Sequence, residues 1–119
     1  MSYIVGADDL LRQLDALADL DMMDSITICT EIVRDDAKWL APVVTGDLKE
    51  SIMDDVARDG YAVDGVVYTD IDYAAAVELG IGQEAQPYLY PALNNNIAGI
   101  TNVITDDLNA QIEEVAGNG

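Results

Sequence analysis

The chain has 119 residues with one cysteine, Cys29, and no histidine, which excludes an intrachain disulfide, histidine-based catalysis and the usual structural zinc sites. It carries 23 acidic and 5 basic residues, and the resulting net charge of −18 excludes direct neutralisation of nucleic-acid phosphates. No apolar run approaches the roughly 18 residues that cross a bilayer, and the N-terminus lacks a signal peptide's pattern, so we expect one soluble, unexported domain over residues 1–119.

Residues 1–5 form a short apolar segment that is compatible with a strand. A first helix is predicted from Ala7, because Leu10, Leu14 and Leu17 recur at the spacing of one helix face. One side of this helix is therefore expected to face the core.

A second helix is predicted up to Pro42, because the residue before a proline is disfavoured in a helix. Its main apolar face consists of Ile26, Cys29, Val33, Ala37 and Leu40. A second stripe, formed by Ile28, Ile32 and Trp39, predicts that the helix is covered on two sides.

A short helix and a hairpin are predicted next. Asp47 and Glu50 have the spacing of a capping box for one or two helical turns. Two β-compatible runs follow, 51–57 and 61–69, and the intervening Asp-Gly at 59–60 favours a tight turn between them. Within the second run Val63 and Val67 point to one side and Val66 and Tyr68 to the other. Residues 73–79 fit a helix or a third strand equally well.

The last part of the chain predicts a long amphipathic helix with Pro91 as its first residue. Its apolar stripe consists of Leu93, Ile97, Ile100, Ile104, Leu108, Ile112 and Val115. Either the whole stripe lies in the core, or part of it, or the Pro87–Pro91 segment before it, contacts a neighbouring subunit. The whole pattern predicts an α+β fold with N-terminal helices, a small antiparallel sheet and a long C-terminal helix.

Few residues are candidates for a catalytic or metal-binding site. Asp70, Asp72 and Glu78 are weak candidates for a magnesium or calcium site, since these hard cations prefer oxygen ligands. The alternative is a solvated acidic loop, which also accounts for the pair at 54–55. Cys29 has no histidine partner and is expected to be a small core residue. The Gly-Ile-Gly at 80–82 is too short for a phosphate loop and indicates a turn.

Three segments, residues 41–52, 73–80 and 85–93, carry a resemblance to a known family. Together they read Ala-Pro-Val-Val-Thr-Gly-Asp-Leu, Tyr-Ala followed by Glu-Leu-Gly, and Gln-Pro-Tyr-Leu-Tyr-Pro-Ala. In this order and spacing they resemble the Hong Kong phage gene-product-ten family, small neck or tail proteins of tailed double-stranded-DNA viruses. The motif and interface candidates that the resemblance implies are Pro42, Thr45, Gly46, Leu48, Tyr73, Glu78, Gly80, Gln86, Pro87, Tyr88 and Pro91.

The resemblance implies a virion structural protein, assembled in the host cytoplasm, that catalyses no reaction and needs no cofactor. Its expected role is tail completion or head-tail joining, as one subunit of a ring of six or twelve copies between the portal side and the tail tube. Genomic DNA would pass through the ring without specific binding. A tail terminator or a minor tail or capsid protein is the alternative within this class.

The charge distribution bears on these expectations. All five basic residues precede residue 59, so the second half of the chain carries ten acids and no base. Such an excess is similar to that of proteins from salt-saturated cytoplasm, and also fits an ordinary acidic domain. Two other classes remain open: an acidic DNA-mimic inhibitor and a small metal-dependent hydrolase that uses the candidate acids.

Overall fold

The computed structural model describes residues 20–43, 46–60 and 62–118. Its elements in chain order are α1 (Met23–Leu40), α2 (Asp47–Ser51), β1 (Met53–Asp59), β2 (Ala62–Tyr68), α3 (Ala74–Leu79) and α4 (Leu89–Asn118). Helices combined with a two-stranded antiparallel sheet confirm the predicted α+β class. The strand and helix predicted within the first 19 residues lie outside the described part.

α1 ends where Pro42 predicts it, and Ala41 is already extended with a ψ of 131°. Cys29, Val33 and Ala37 are buried as predicted, whereas Leu40 at the end of the same face is 38% exposed.

The prediction that α1 is covered on a second side is wrong. Ile28, Ile32 and Trp39 are 52%, 41% and 81% exposed. The physical reason is that the sheet and α4 both pack on the other sides of this helix. The stripe is therefore apolar surface.

The predicted hairpin is confirmed, but its strands span residues 53–59 and 62–68 and not 51–57 and 61–69. Asp59 pairs with Ala62 at the turn, and Gly60 has the positive φ of 61° that the turn requires. The first strand begins at Met53 and not at Ser51, because the Ser51 hydroxyl donates to the Leu48 carbonyl at 2.6 Å and continues the helical turn. The predicted alternation in β2 is correct, since Val63 and Val67 are half-buried and their neighbours are exposed.

Two ion pairs connect the hairpin to α1 and to the residues just before it. The Arg34 guanidinium donates to the Asp54 carboxylate at 2.9 Å, which joins α1 to β1. Arg58, near the end of β1, pairs with Asp21 just before α1. The sheet is therefore held at both of its ends over one side of the helix.

The capping box predicted for α2 is wrong. Gly46, which has no side chain, occupies the N-cap in place of Asp47, with a left-handed φ of 87°. The positive φ explains why glycine is suited to this position, and Leu48 anchors the short helix in the core. The undecided segment 73–79 forms α3, which also contributes to the core.

α4 runs antiparallel to α1. The Asn96 amide donates to the Asp36 carboxylate at 2.6 Å near the end of α1, and the Gln111 amide donates to the Asp21 carbonyl at 2.9 Å near its beginning. α4 begins at Leu89, two residues before the predicted Pro91. Proline is tolerated there because the first N–H groups of a helix have no partner within it.

Candidate functional site

The three segments that carry the family resemblance build most of the core. In the described part of the chain, the core cluster consists of Val33, Ala37, Ala41, Leu48, Ile52, Ala74, Val77, Tyr88 and Ala92. Apart from Val33 and Ala37, every member belongs to one of the segments 41–52, 73–80 and 85–93. These segments therefore act first as determinants of the fold.

Glu78 links α3 to the beginning of α4. Its Oε1 accepts the backbone N–H groups of Tyr88 at 3.1 Å and Leu89 at 2.8 Å, and its Oε2 accepts that of Tyr90 at 3.3 Å. A carboxylate at this end of a helix satisfies N–H groups that lack an intrahelical partner and is favoured by the helix dipole. Glu78 is thus fully engaged in positioning the long helix.

Gly80 allows the turn that brings Glu78 to this place. It has a left-handed φ of 75°, and a β-carbon at this position would lie 2.8 Å from the Ala85 backbone nitrogen. Any side chain here would therefore push the following loop away from α3.

Tyr88 is completely buried beneath this junction. Its hydroxyl lies 3.4 Å from the Ala74 carbonyl oxygen, a long hydrogen bond. Burial raises the pKa of this phenol above its usual range, and the nearby Glu78 carboxylate and Tyr73 add to the shift. The ring fills the core in its neutral form.

Five of the motif candidates line one cleft of about 340 Å³. The five candidates are Pro42, Gly46, Leu48, Tyr73 and Gln86. The other lining residues are Asp47, Val77 and Gln83. The backbone N–H of Gln86 donates to the Val77 carbonyl at 2.8 Å, which holds the third segment against the second. Asp47 is the single carboxylate among these described lining residues.

The remaining motif candidates lie elsewhere. Pro87 is exposed just before α4, and Pro91 is half-buried in its first turn. Thr45 is outside the described residues.

The candidate metal ligands do not come together. Among the described residues, no three acidic or cysteine side chains form a group that could hold a metal ion. The Glu78 carboxylate is bound to backbone N–H groups, and Asp54 of the other acidic pair is bound to Arg34. Asp70 and Asp72 are exposed, in agreement with the solvated-loop alternative.

Cys29 is 4% exposed, and burial raises the pKa of its thiol. Because the thiolate is the nucleophilic form, this environment makes Cys29 unreactive. It packs as the small core residue that the sequence predicts.

A second and more apolar opening lies between α1, β2 and α4. We call it the α4 groove, with a volume of about 390 Å³. Its lining consists of Ile26, Cys29, Thr30, Val33, Gly65, Val67, Leu89, Tyr90, Leu93 and Ile100, none of which carries a charge at neutral pH.

The apolar stripe of α4 continues from the groove along the helix. Leu93, Ile97 and Ile112 are 49%, 50% and 39% exposed, and Ile104 and Leu108 are half-buried. The stripe is therefore only partly covered. Ile100 packs against the core, whereas Ile97 and Ile112 are exposed next to polar Asn96 and Gln111, which bond to Asp36 and Asp21.

Sequence reasoning missed the α4 groove, although one signal was present. Residues 85–105 carry no charged side chain, in a chain where 24% of residues are charged. This uncharged run supplies the beginning of α4 and the exposed residues beside the groove.

Neither a family model, nor a curated protein, nor a solved structure matches this chain. The family resemblance therefore rests on the three segments themselves. Within the described residues, no helix combines the length and the apolar character that crossing a membrane demands.

Proposed function

We propose that this protein is a structural subunit of a ring in the neck of a tailed double-stranded-DNA virus, where it joins the head side to the tail tube. The observation that carries the proposal is the way in which the three segments that resemble the family pack together. They pack into one core and five of their candidate residues line one cleft. This is the arrangement expected of motifs that determine the fold of a family.

The chemistry of the surface supports a structural role. The candidate acids for metal-assisted hydrolysis are separated, the single described cysteine is buried, and Glu78 is bound at the beginning of α4. What the surface offers is apolar area along α4 and a large negative charge.

A ring of such subunits suits the passage of DNA. The charge of −18 per subunit gives any channel a negative potential, so that duplex DNA slides through without adhering. On this proposal the partners are further copies of the chain, the connector on the head side and the tail-tube protein, and the protein resides in the virion.

The test is the copy number in purified tailed particles, measured by mass spectrometry against an isotope-labelled standard of this chain. A closed ring predicts on the order of six to twelve copies per particle. Absence from tailed particles, or hundreds of copies, would refute the neck assignment. Recovery of the chain bound instead to a host nucleic-acid-binding protein would favour the DNA-mimic alternative.

A further inference from the structure

We propose that the α4 groove, with the adjoining stripe residues Leu93 and Ile97, is the surface on which a second copy of this chain docks. The inference rests on the proposed function in one respect, the need for contact between copies, and names the surface that makes this contact.

The surface around the groove is apolar and exposed. Tyr90 and Leu93 line the groove and are 70% and 49% exposed, and Ile97 beside it is 50% exposed. Contiguous apolar surface of this kind on a soluble chain marks an interaction site. Tyrosine is also among the residues that most often anchor protein interfaces.

The surface also has the length of a protein interface. The stripe from Leu93 to Ile112 extends over about 29 Å, given the helical rise of about 1.5 Å per residue. A standard interface buries about 800 Å² on each partner, a patch roughly 30 Å across. Leu93, Ile97 and Ile112 are the exposed stripe residues along this length, and with the groove they span the distance that a stable contact needs.

The distribution of charge favours a second copy as the partner. A basic partner would bind where the acids are, whereas two copies that each carry −18 can approach closely only where charge is missing. The uncharged run 85–105 provides such a place, next to a groove without charged lining residues among those described. A partner of like charge, and thus a second copy, fits this surface best.

The acids at the far end of α4 add a condition. Asp106, Glu113 and Glu114 are exposed where the stripe ends. Two copies docked along α4 bring together two chains that each carry −18, and salt screens their repulsion. We therefore expect the contact to strengthen as the KCl concentration rises.

The experiment is sedimentation of the full chain in molar KCl, with variants that change apolar character and leave charge unaltered. Ile97→Asn removes the apolar side chain beside the groove. Leu93→Asn is a second variant within the groove lining. Ala98→Asn is the matched control, because it adds the same side chain one position further along, at an exposed site away from the stripe.

We expect the wild-type chain to self-associate, Ile97→Asn and Leu93→Asn to raise the dissociation constant about tenfold or more, and Ala98→Asn to change it less than about twofold. Circular dichroism should show equal helicity in all four proteins, since the replaced side chains are half-exposed. If all three variants associate as the wild type does, the docking surface is wrong and the ring proposal stands.

Other outcomes separate the two proposals. A two-fold dimer that Ile97→Asn dissociates supports the docking surface and contradicts a closed ring. A chain that stays monomeric in molar KCl overturns the second copy as the occupant, while the copy number in tailed particles still decides the neck assignment.

Discussion

Gly65 of β2 lies directly against Thr30 of α1. A β-carbon at position 65 would overlap the Thr30 hydroxyl oxygen and lie 3.2 Å from both the Thr30 β-carbon and a methyl carbon of Ile26. The Thr30 hydroxyl is itself fixed, because it donates to the Ile26 carbonyl at 2.6 Å. The absence of a side chain at residue 65 therefore sets how closely the hairpin packs on the helix.

Gly65→Ala should consequently reduce the free energy of unfolding by about 1–3 kcal/mol, the usual cost of overpacking. Thr30→Ala removes the oxygen that the new methyl group meets, so the double variant should lose less than the sum of the two single losses. Urea unfolding followed by circular dichroism measures all three values.

The control for this cycle is Gly99→Ala on α4. A β-carbon there has no atom within 4 Å, and alanine is favoured over glycine in a helix by about 1 kcal/mol. This variant should be as stable as the wild type or more so. Strict additivity between positions 30 and 65 would contradict the close packing.

Glu78→Ala should destabilise the fold by about 1–3 kcal/mol, because it leaves three backbone N–H groups at the beginning of α4 without their carboxylate. Glu78→Gln retains a carbonyl oxygen as an acceptor and should cost less. Exposed Glu84→Ala is the control, since it removes the same charge from the loop that joins α3 to α4. Equal urea midpoints for the variants at 78 and 84 would show that the capping contributes nothing.

Tyr88→Phe should be nearly silent at neutral pH, because the hydroxyl makes a 3.4 Å hydrogen bond whose loss costs about 1 kcal/mol or less. Tyr88→Ala should cost about 3–5 kcal/mol, since it empties a completely buried site.

Alkaline pH should separate the Phe variant from the wild type. The pKa of the buried phenol is raised in the folded state, so the unfolded chain loses this proton first, near pH 10. The stabilisation is complete below that pH and is lost as the pH rises through the folded-state value. Wild type should therefore lose more stability above about pH 10 than Tyr88→Phe, and parallel unfolding curves would contradict this.

The sequence was sufficient where a local rule decides the structure. Pro42 marks the end of α1, and Asp59-Gly60 marks the turn of the hairpin. Both features depend on the backbone preferences of two adjacent residues, so they could be predicted without knowledge of packing.

Tertiary contacts decided the features that were predicted wrongly. Pro91 has the pattern of a first helical residue, but the Glu78 carboxylate accepts N–H groups from Leu89 and Tyr90 and thereby starts the helix earlier. The stripe of α4 fitted both a core position and a subunit contact, and tertiary contacts divide it: Ile100 packs on the core, while Ile97 beside Asn96 is exposed. Periodicity identifies an apolar face and does not state what lies opposite it.

Salt should stabilise this protein strongly. Raising the ionic strength from about 0.1 to 1 M shortens the Debye length from about 10 to 3 Å, which screens the mutual repulsion of the acidic side chains. The exposed ion pair Arg58–Asp21 weakens under the same conditions, but such a pair contributes about 1 kcal/mol or less. The part-buried pair Arg34–Asp54 is screened less by salt. The melting temperature should therefore rise in molar KCl.

A charge-reduced variant isolates the cause of this rise. Replacing the exposed acids of α4 by their amides, as Asp106→Asn, Glu113→Gln and Glu114→Gln, removes three negative charges without removing a described contact. This variant should melt at a higher temperature than wild type in dilute buffer and at the same temperature in molar KCl, because screening leaves little repulsion to relieve. KCl is preferable to a sulfate salt, which strengthens apolar burial in any protein. If the melting temperatures of the two proteins differ equally in both buffers, charge repulsion is not what salt relieves, and the acidic surface has no part in the protein's response to salt.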